Sequence, residues 1–411
     1  MSPLRPWPSQ RDPLREMLSR VSDRLQRMRL RTTSSGNRSA SIGRDAAAAS
    51  AIKAQGTILL QHRSERSLLQ GDATGDLTPF IVAGRSRLAT CSGVAWLGDR
   101  HLAVVNLYGG HLRIYRLHLP DSPSAAAGER GARLELLHEM SEGLAFPEDV
   151  AASRDGRLLA VTSSVADSAG VSLHRIDPAT LNSSPAGETI RRGKAFHGLT
   201  FSPDSRYLAF TEIGRPGFVE VVGLAETPRQ RCCLLVNPHS PLKPKAVSFS
   251  SDGRFAAISL SLNVTPADGP LAVRGMLSVH AFDAAKGIIA SEPLDELRDA
   301  GMQLGSVEIC KFVPGRPGGP YRILAANQGA DCISIFRFDA AARRLSFAGI
   351  CAAGLSFPHG LDVSPDGRLV AVACYGDDTL TICSLADEPP EGSAHQREIA
   401  LKKYATRGAR G

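Results

Sequence analysis

The sequence predicts an all-β fold, a β-propeller of four-stranded blades, and three observations support this prediction. One hairpin template recurs six times in the 411-residue chain, most clearly at residues 149–161, 197–209 and 359–371. The copies are spaced like propeller blades. A third strand with alternating polar and apolar residues follows the hairpins, as at residues 171–177 and 333–339.

Each copy of the template has an apolar strand, a short turn and a second apolar strand. The turn residues at 202–205, 251–253 and 364–367 are rich in Ser, Pro, Asp and Gly, which favour the backbone angles of a tight hairpin. Looser copies lie at 92–105 and 307–327. One alanine marks the second strand of every copy, and successive markers are 57, 49, 48, 68 and 46 residues apart: Ala103, Ala160, Ala209, Ala257, Ala325 and Ala371.

A single sheet of this kind cannot bury both of its faces, so the blades must pack face to face around an axis. Six repeats are visible, and closure of the ring needs chain from both ends. Strand-like runs at 56–61, 79–83 and 398–404 either complete the sixth blade or build another. Seven blades are favoured.

The N-terminal part of the chain carries none of these repeats. We predict a basic amphipathic helix at 1–31, a flexible linker at 32–54, the propeller at 55–404 and a disordered tail at 405–411. The helix would begin at Asp12 and Pro13, and one apolar stripe would consist of Leu14, Leu18, Val21, Leu25 and Met28.

Charge and composition exclude several functional classes. The formal charge is +7, but residues 1–50 hold ten arginines against four acidic residues, so the propeller itself is nearly neutral and is not expected to bind nucleic acid. No stretch is apolar enough for a transmembrane helix, and no secretory signal is recognisable. The eight cysteines have no metal-binding spacing and lie mostly in apolar strands. We therefore expect a cytoplasmic protein with reduced thiols.

One position of the repeat is predicted to carry the function. The first strand of each blade lines the central channel, so the residue seven before the turn aspartate recurs around it. At this position, ionisable residues occur in five of the six repeats: Ser92, Glu148, His197, Lys245, Glu308 and His359. Converging groups of these types suit acid–base catalysis or binding of a divalent metal ion, a candidate cofactor that the sequence leaves unassigned. The alternative is a water-filled channel lined with polar side chains.

Three further polar residues, Asn106, Glu212 and Asn327, end the second strand of their blades and are secondary candidates for ligand binding at the same mouth. Motifs of common hydrolases and nucleotide-binding proteins are missing, and so are Trp-Asp dipeptides.

Residues 325–339 and 357–368 resemble the strand pair and the blade start of the lactonase-type, or YVTN-type, bacterial β-propellers. Relatives that resemble 6-phosphogluconolactonase open an active-site blade with Pro-Arg-His. In this chain the corresponding segments are 195–197 and 357–359, which keep the histidines but lack the phosphate-binding arginine. Glu212 falls where such enzymes often have an acid. The resemblance therefore implies a small lactone or another neutral ligand.

The sequence is compatible with two functions. The first is a lactonase-type enzyme, with His197, His359, Glu148 and Glu308 as catalytic groups and Lys245 contributing to ligand binding. The alternative is a non-enzymatic propeller that serves as a scaffold for a protein partner. The two differ in one geometric requirement, because catalysis needs the six channel side chains to lie within about 10 Å of one another.

Overall fold

The structure, a computed structural model, describes residues 77–81 and most of 91–385, all within one compact unit, Ser67–Gly411. The gaps in the second range are 108, 120–132, 145, 165–168, 188, 191–194, 214–216, 226–230, 236–241, 262–274, 300–306, 316–319, 354, 356 and 377. The helix predicted at 1–31, the linker at 32–54, the tail at 405–411 and the outer limits of the propeller at 55 and 404 lie outside the described residues.

The first three blades consist of consecutive strands. Blade 1 is formed by β2(Cys91–Leu97), β3(His101–Asn106), β4(His111–His118) and β5(Arg133–Met140). Blade 2 is formed by β6(Pro147–Ala152), β7(Leu158–Ser163), β8(Gly170–Ile176) and β9(Ser183–Pro185). Blade 3 is formed by β10(Phe196–Phe201), β11(Tyr207–Glu212), β12(Phe218–Gly223) and β13(Arg231–Leu235).

Blades 4 and 5 follow the same plan, and blade 6 takes one strand from the N-terminal side. Blade 4 is formed by β14(Lys243–Phe249), β15(Phe255–Ser261), β16(Gly275–Asp283) and β17(Ile288–Asp299). Blade 5 is formed by β18(Val307–Phe312), β19(Tyr321–Asn327), β20(Cys332–Asp339) and β21(Arg344–Ala353), with a 3-10 helix at Gln328–Ala330. Blade 6 is formed by β22(Pro358–Val363), β23(Leu369–Cys374), β24(Thr379–Leu385) and β1(Leu77–Ile81).

The all-β propeller and its four-stranded blades are confirmed. In the described residues the ring has six blades, since the first strands of neighbouring blades contact one another in a closed cycle from β2 through β6, β10, β14, β18 and β22 back to β2. The sequence favoured seven blades but left open that an early strand completes the sixth, and the second alternative is the one seen in the described residues. The strand near residue 79 pairs antiparallel with β24 instead of starting a new sheet, so an early segment closes the last blade. This closure hides the edges that an open sheet would expose.

The turn chemistry explains the recurring Ser-x-Asp sequence. Where the pattern occurs, the serine hydroxyl donates to the aspartate carboxylate at 2.6 Å, as in the pairs Ser153–Asp155, Ser202–Asp204, Ser250–Asp252 and Ser364–Asp366. The residue directly after the aspartate has a positive φ, which is 67° at Gly156 and 57° at Ser205. Both features fix a tight hairpin at the end of the channel strand that is opposite the predicted site.

The hydrophobic core lies between the blades. Leu102, Leu159, Leu208 and Phe336 are fully buried on the second and third strands. Burial of a Leu or Phe side chain contributes about 1.5–3 kcal/mol, which makes these inter-blade faces the main source of stability. Five cysteines are buried in the same layers: Cys91, Cys310, Cys332, Cys374 and Cys383. Burial raises the pKa of Cys310 to about 11 and that of Cys332 to about 12, so both remain protonated thiols at neutral pH.

The sequence predicted that most cysteines lie in apolar strands. Cys232 and Cys233 are exceptions, because they lie on the outer strand β13, where Cys233 is exposed. None of the described helical segments is long and apolar enough to cross a bilayer.

Candidate functional site: a cluster at the channel mouth

A β-bulge at the start of each channel strand positions the candidate site. In all six blades the pairing of the first two strands shifts register at this point, for example between Phe196 and Leu199 in blade 3 and between Pro147 and Val150 in blade 2. A bulge inserts an unpaired residue, bends the strand and redirects the side chain. The six predicted channel residues all lie at or next to this bulge.

The side chains of Lys245 and His197 meet at the carboxylate of Glu308. The Glu308 Oε2 atom lies 2.8 Å from Lys245 Nζ and 3.0 Å from His197 Nε2. All three side chains are almost completely buried, with exposed fractions of 6%, 5% and 4%. The Lys245 Nζ and His197 Nε2 atoms contact Oε2 without the alignment of regular hydrogen bonds. The contact is therefore a compact ionic group rather than a pair of aligned hydrogen bonds.

Two further ionisable side chains, those of Glu148 and His359, meet on the opposite side of the channel. His359 Nε2 lies 4.0 Å from Glu148 Oε2, and Ser164 Oγ donates to the other carboxylate oxygen of Glu148 at 2.9 Å. Glu148 is the most exposed member of the cluster, at 16%. It is therefore the member best able to move toward a ligand.

The two histidines join these groups across the channel axis. The ring centroids of His197 and His359 are 5.3 Å apart, although blades 3 and 6 lie on opposite sides of the ring. The metal-binding atoms of Glu148, His197 and His359 all lie within 4.8 Å of one another. Five of the six predicted channel residues thus converge, and Ser92 contributes its backbone.

Backbone carbonyls of the next blade fix both imidazole tautomers. His197 Nδ1 lies 3.0 Å from the carbonyl oxygen of Lys245, and His359 Nδ1 lies 3.2 Å from that of Ser92. Because a carbonyl oxygen only accepts, the proton of each neutral imidazole is on Nδ1. His359 Nε2 therefore presents its lone pair to the channel when the ring is neutral, whereas His197 Nε2 lies 3.0 Å from the Glu308 carboxylate.

The glycine after each histidine makes this contact possible. A Cβ atom on Gly198 would lie 2.5 Å from the Lys245 oxygen, and one on Gly360 would lie 2.3 Å from the Ser92 oxygen. The His-Gly sequence in these two blades is thus a packing requirement. It lets the next blade approach closely enough to accept the imidazole proton.

Electrostatics sets the protonation of two members. Burial disfavours the charged form of Glu308, but attraction to Lys245, followed by its contacts with His197, outweighs burial and holds the Glu308 pKa well below its usual range. Burial and repulsion by His197 lower the pKa of His359, despite opposing attraction from Glu308 and Glu148. Glu308 is thus ionised, and His359 is neutral near pH 7 with a free Nε2 lone pair.

Deeper in the channel lies a second ionic group that the sequence did not reveal. Lys311 Nζ is 3.8 Å from Asp362 Oδ1, and its charge also acts on Asp149. The two carboxylates accept backbone N–H groups of the next blades, from Leu199 at 3.1 Å and from Trp96 at 2.9 Å. Burial raises the pKa of both aspartates, against the attraction of Lys311.

Tyr375 is a further residue of the mouth that the sequence analysis did not select. Its ring is stacked on His359 with a centroid distance of 6.0 Å, and it also contacts Phe357 at 5.7 Å.

Phe357 has a φ of 53°, which is rare for a bulky residue, and Phe146 of blade 2 has 51°. Each precedes a proline that enters the channel strand. Such strained backbone often accompanies functional sites.

The three secondary candidates lie one strand away from the channel. By register, Asn106 is opposite Cys91, Glu212 is opposite Phe196 and Asn327 is opposite Val307. Each of these opposite residues directly precedes a channel residue in the sequence. Asn106, Glu212 and Asn327 therefore lie near the same rim of the channel. Asn106 is 1% exposed, and its amide has no hydrogen-bond partner within the described part of the chain.

Comparison with known proteins agrees on a β-propeller, although the matching family is described as seven-bladed and the described residues form six blades. Residues 320–403 match the family described as lactonase, 7-bladed beta-propeller. A periplasmic gluconolactonase of Pseudomonas aeruginosa is similar in structure, with 22% identity over 73% of this chain and 82% of that chain and a TM-score of 0.50. An auxiliary nutrient binding protein from Bacteroides thetaiotaomicron has 12% identity over 76% of each chain and a TM-score of 0.48. No curated protein sequence matches the chain.

The family match covers the last three strands of blade 5, β19 to β21, and strands β22 to β24 of blade 6, a range that includes His359 and Tyr375. At 22% identity, the likeness to the gluconolactonase concerns the fold. The described residues therefore form a β-propeller, and residues 320–403 are similar to the lactonase family.

Proposed function

We propose that this protein hydrolyses a small, uncharged lactone at the channel mouth. The observation that carries the proposal is the convergence of His197, His359 and Glu148, with the Nε2 atoms of both histidines directed into the channel. Ester hydrolysis needs a group that accepts the proton of the attacking water and returns it to the leaving oxygen. A neutral imidazole meets this need at neutral pH.

His359 is the group best suited to move this proton. Water would lose a proton to Nε2 of His359 as its oxygen bonds to the carbonyl carbon of the lactone. The ring C–O bond then breaks, and the proton passes from His359 to the leaving alkoxide, which gives the hydroxy acid. Glu148 orients the water.

The charges of the site favour an uncharged substrate. The Lys245 ammonium already contacts Glu308 at 2.8 Å and is not free to neutralise a phosphate. The carboxylates of Glu148 and Glu308 would repel a phosphate group. Residues 195–197 and 357–359 also lack the arginine of the phosphogluconolactonase motif. The unpaired Asn106 amide offers a donor and an acceptor for sugar hydroxyl groups on this rim.

We expect His359→Gln to lower kcat/KM for glucono-δ-lactone by about 100-fold or more, since general acid–base groups contribute about 10²–10⁴-fold. Hydrolysis is followed by pH-stat against the wild type, with 6-phosphogluconolactone as the charged comparison substrate. In the wild type, kcat/KM should fall on the acid side with an apparent pKa below 6.5, because the active form is the neutral His359, whose pKa is lowered.

The matched control is His118→Gln, which alters a half-exposed histidine on β4 that contacts Glu135. This variant should keep wild-type kcat/KM. Full activity of His359→Gln, or an acid limb centred at or above pH 6.5, would contradict the proposed role of His359. A wild-type protein that hydrolyses no lactone would remove the proposed function itself.

A further inference from the structure

We propose that Glu148, His197 and His359 form a binding site for one divalent transition-metal ion, with Zn²⁺ as the ion that this donor set suits. The three donor atoms come from blades 2, 3 and 6, so the ion would lie on the channel axis. The binding of the ion stands on these residues alone. Its catalytic role, by contrast, rests on the proposed lactone hydrolysis.

The distances require only small movements. Tetrahedral zinc with bonds of about 2.0–2.1 Å holds its ligand atoms about 3.3 Å apart. The donor atoms here lie within 4.8 Å of one another, and Glu148 Oε2 is 4.0 Å from His359 Nε2. A shift of about 1 Å by the Glu148 side chain would bring its Oε2 atom to ligand spacing from His359 Nε2.

The hydrogen bonds of both histidines match those of metal ligands. A metal-binding imidazole uses one nitrogen for the ion and donates its other N–H to a carbonyl or a carboxylate, which fixes the ring. His197 and His359 donate through Nδ1 to the carbonyl oxygens of Lys245 and Ser92. The Nε2 atoms are thus oriented before an ion arrives, which lowers the entropy cost of binding.

The charge of the channel favours a cation. The described channel strands carry four carboxyl groups and three ammonium groups: Glu148, Asp149, Glu308 and Asp362 against Lys243, Lys245 and Lys311. A divalent ion at the mouth would gain the attraction of the Glu148 carboxylate, and the contact of Lys245 with Glu308 shields the ion from that ammonium charge.

The donor types discriminate among metals. Two imidazoles and one carboxylate suit zinc and its neighbours, whereas magnesium and calcium prefer oxygen ligands throughout. Three protein ligands also leave a position for water, the arrangement of catalytic zinc sites. With the ion bound, the pKa of this water falls toward 7, and His359 acts as a ligand instead of as the proton acceptor.

Zinc binding is measured by isothermal titration of the full-length, chelator-treated protein with ZnCl₂, without a lactone. One zinc ion per chain is expected. His359→Gln and His197→Gln should each weaken binding by about 100-fold or more, as for the loss of a ligand, and His118→Gln should bind as the wild type does. Unchanged affinity in both channel variants would overturn the proposal.

X-ray absorption of the 1:1 zinc complex of the wild type needs no variant. Two imidazole ligands are expected, and a spectrum with none or one overturns the metal site even if a variant fails to fold. The two proposals can fail separately. Zinc binding without lactone hydrolysis removes only the hydrolase, whereas hydrolysis by a chain that binds no zinc removes only the metal site.

Discussion

Replacing Lys245 with methionine is expected to lower the free energy of unfolding at pH 7 by about 3–5 kcal/mol, the usual effect of removing one partner of a buried ion pair. Lys245 is the main source of the attraction that keeps the buried Glu308 ionised. Methionine has a similar length but no charge. The variant therefore leaves a buried carboxylate without its ammonium partner, and His197 is the remaining ionisable side chain in contact with it among the described residues.

The pH dependence separates this electrostatic effect from lost packing. In the wild type the Glu308 pKa is depressed, so the stability due to its ionised form is present above the unfolded pKa of about 4.3 and is lost as the pH falls further. In Lys245→Met the carboxyl group can be protonated more easily. The penalty should therefore be largest at pH 7 and smaller at pH 5, as measured by urea denaturation.

Two further variants serve as controls. Lys245→Met combined with Glu308→Gln should recover much of the loss, because no unpaired charge remains. Lys286→Met removes an exposed ion pair with Asp283 and should leave the unfolding midpoint nearly unchanged. A single Lys245→Met variant that is as stable as the wild type would show that the ionic group is solvated and not buried.

The second large effect is expected at Gly360. A Cβ atom there would lie 2.3 Å from the Ser92 carbonyl oxygen and 2.9 Å from the Gly93 Cα atom, both backbone atoms of the next blade. Gly360→Ala must therefore push blades 6 and 1 apart at the closure of the ring. Such overpacking costs about 1–3 kcal/mol or more.

The same change should disturb the site, because His359 donates to the Ser92 oxygen that the new methyl group would displace. The matched control is Gly315→Ala, whose Cβ atom would have its nearest neighbour at 3.8 Å. The control should be as stable as the wild type or slightly more stable. Urea denaturation compares the two, and equal midpoints would mean that the blades do not approach as closely as described.

The position of the cluster could be predicted from the sequence because repetition is a one-dimensional signal. Six copies of one template define one equivalent position, and the structure brings five of its residues together. The pairing of the last blade could not be predicted in this way. A lone strand such as β1 carries no mark of its partner, so its addition to β24 appeared only in three dimensions.

The deeper ionic group of Lys311, Asp149 and Asp362 was missed for a different reason. In a regular strand, successive side chains point to opposite faces of the sheet. The bulge at the start of each channel strand interrupts this alternation, so the faces of the residues that follow the site cannot be counted off from the sequence. Tyr375 escaped notice because its contact with His359 depends on the path of the β23–β24 connection. Neither feature leaves a local sequence pattern.

Ligand binding at the channel mouth is tested most directly by ¹⁵N NMR of the histidine-labelled protein during titration with glucono-δ-lactam, an analogue that resists hydrolysis. The imidazole signals of His197 and His359, assigned with the two Gln variants, should shift together in a saturable manner. The signals of His118 and His138 on the outer strand pair of blade 1 should remain in place. Saturable shifts that leave His197 and His359 unchanged and move the outer histidines would contradict a ligand site at the channel mouth.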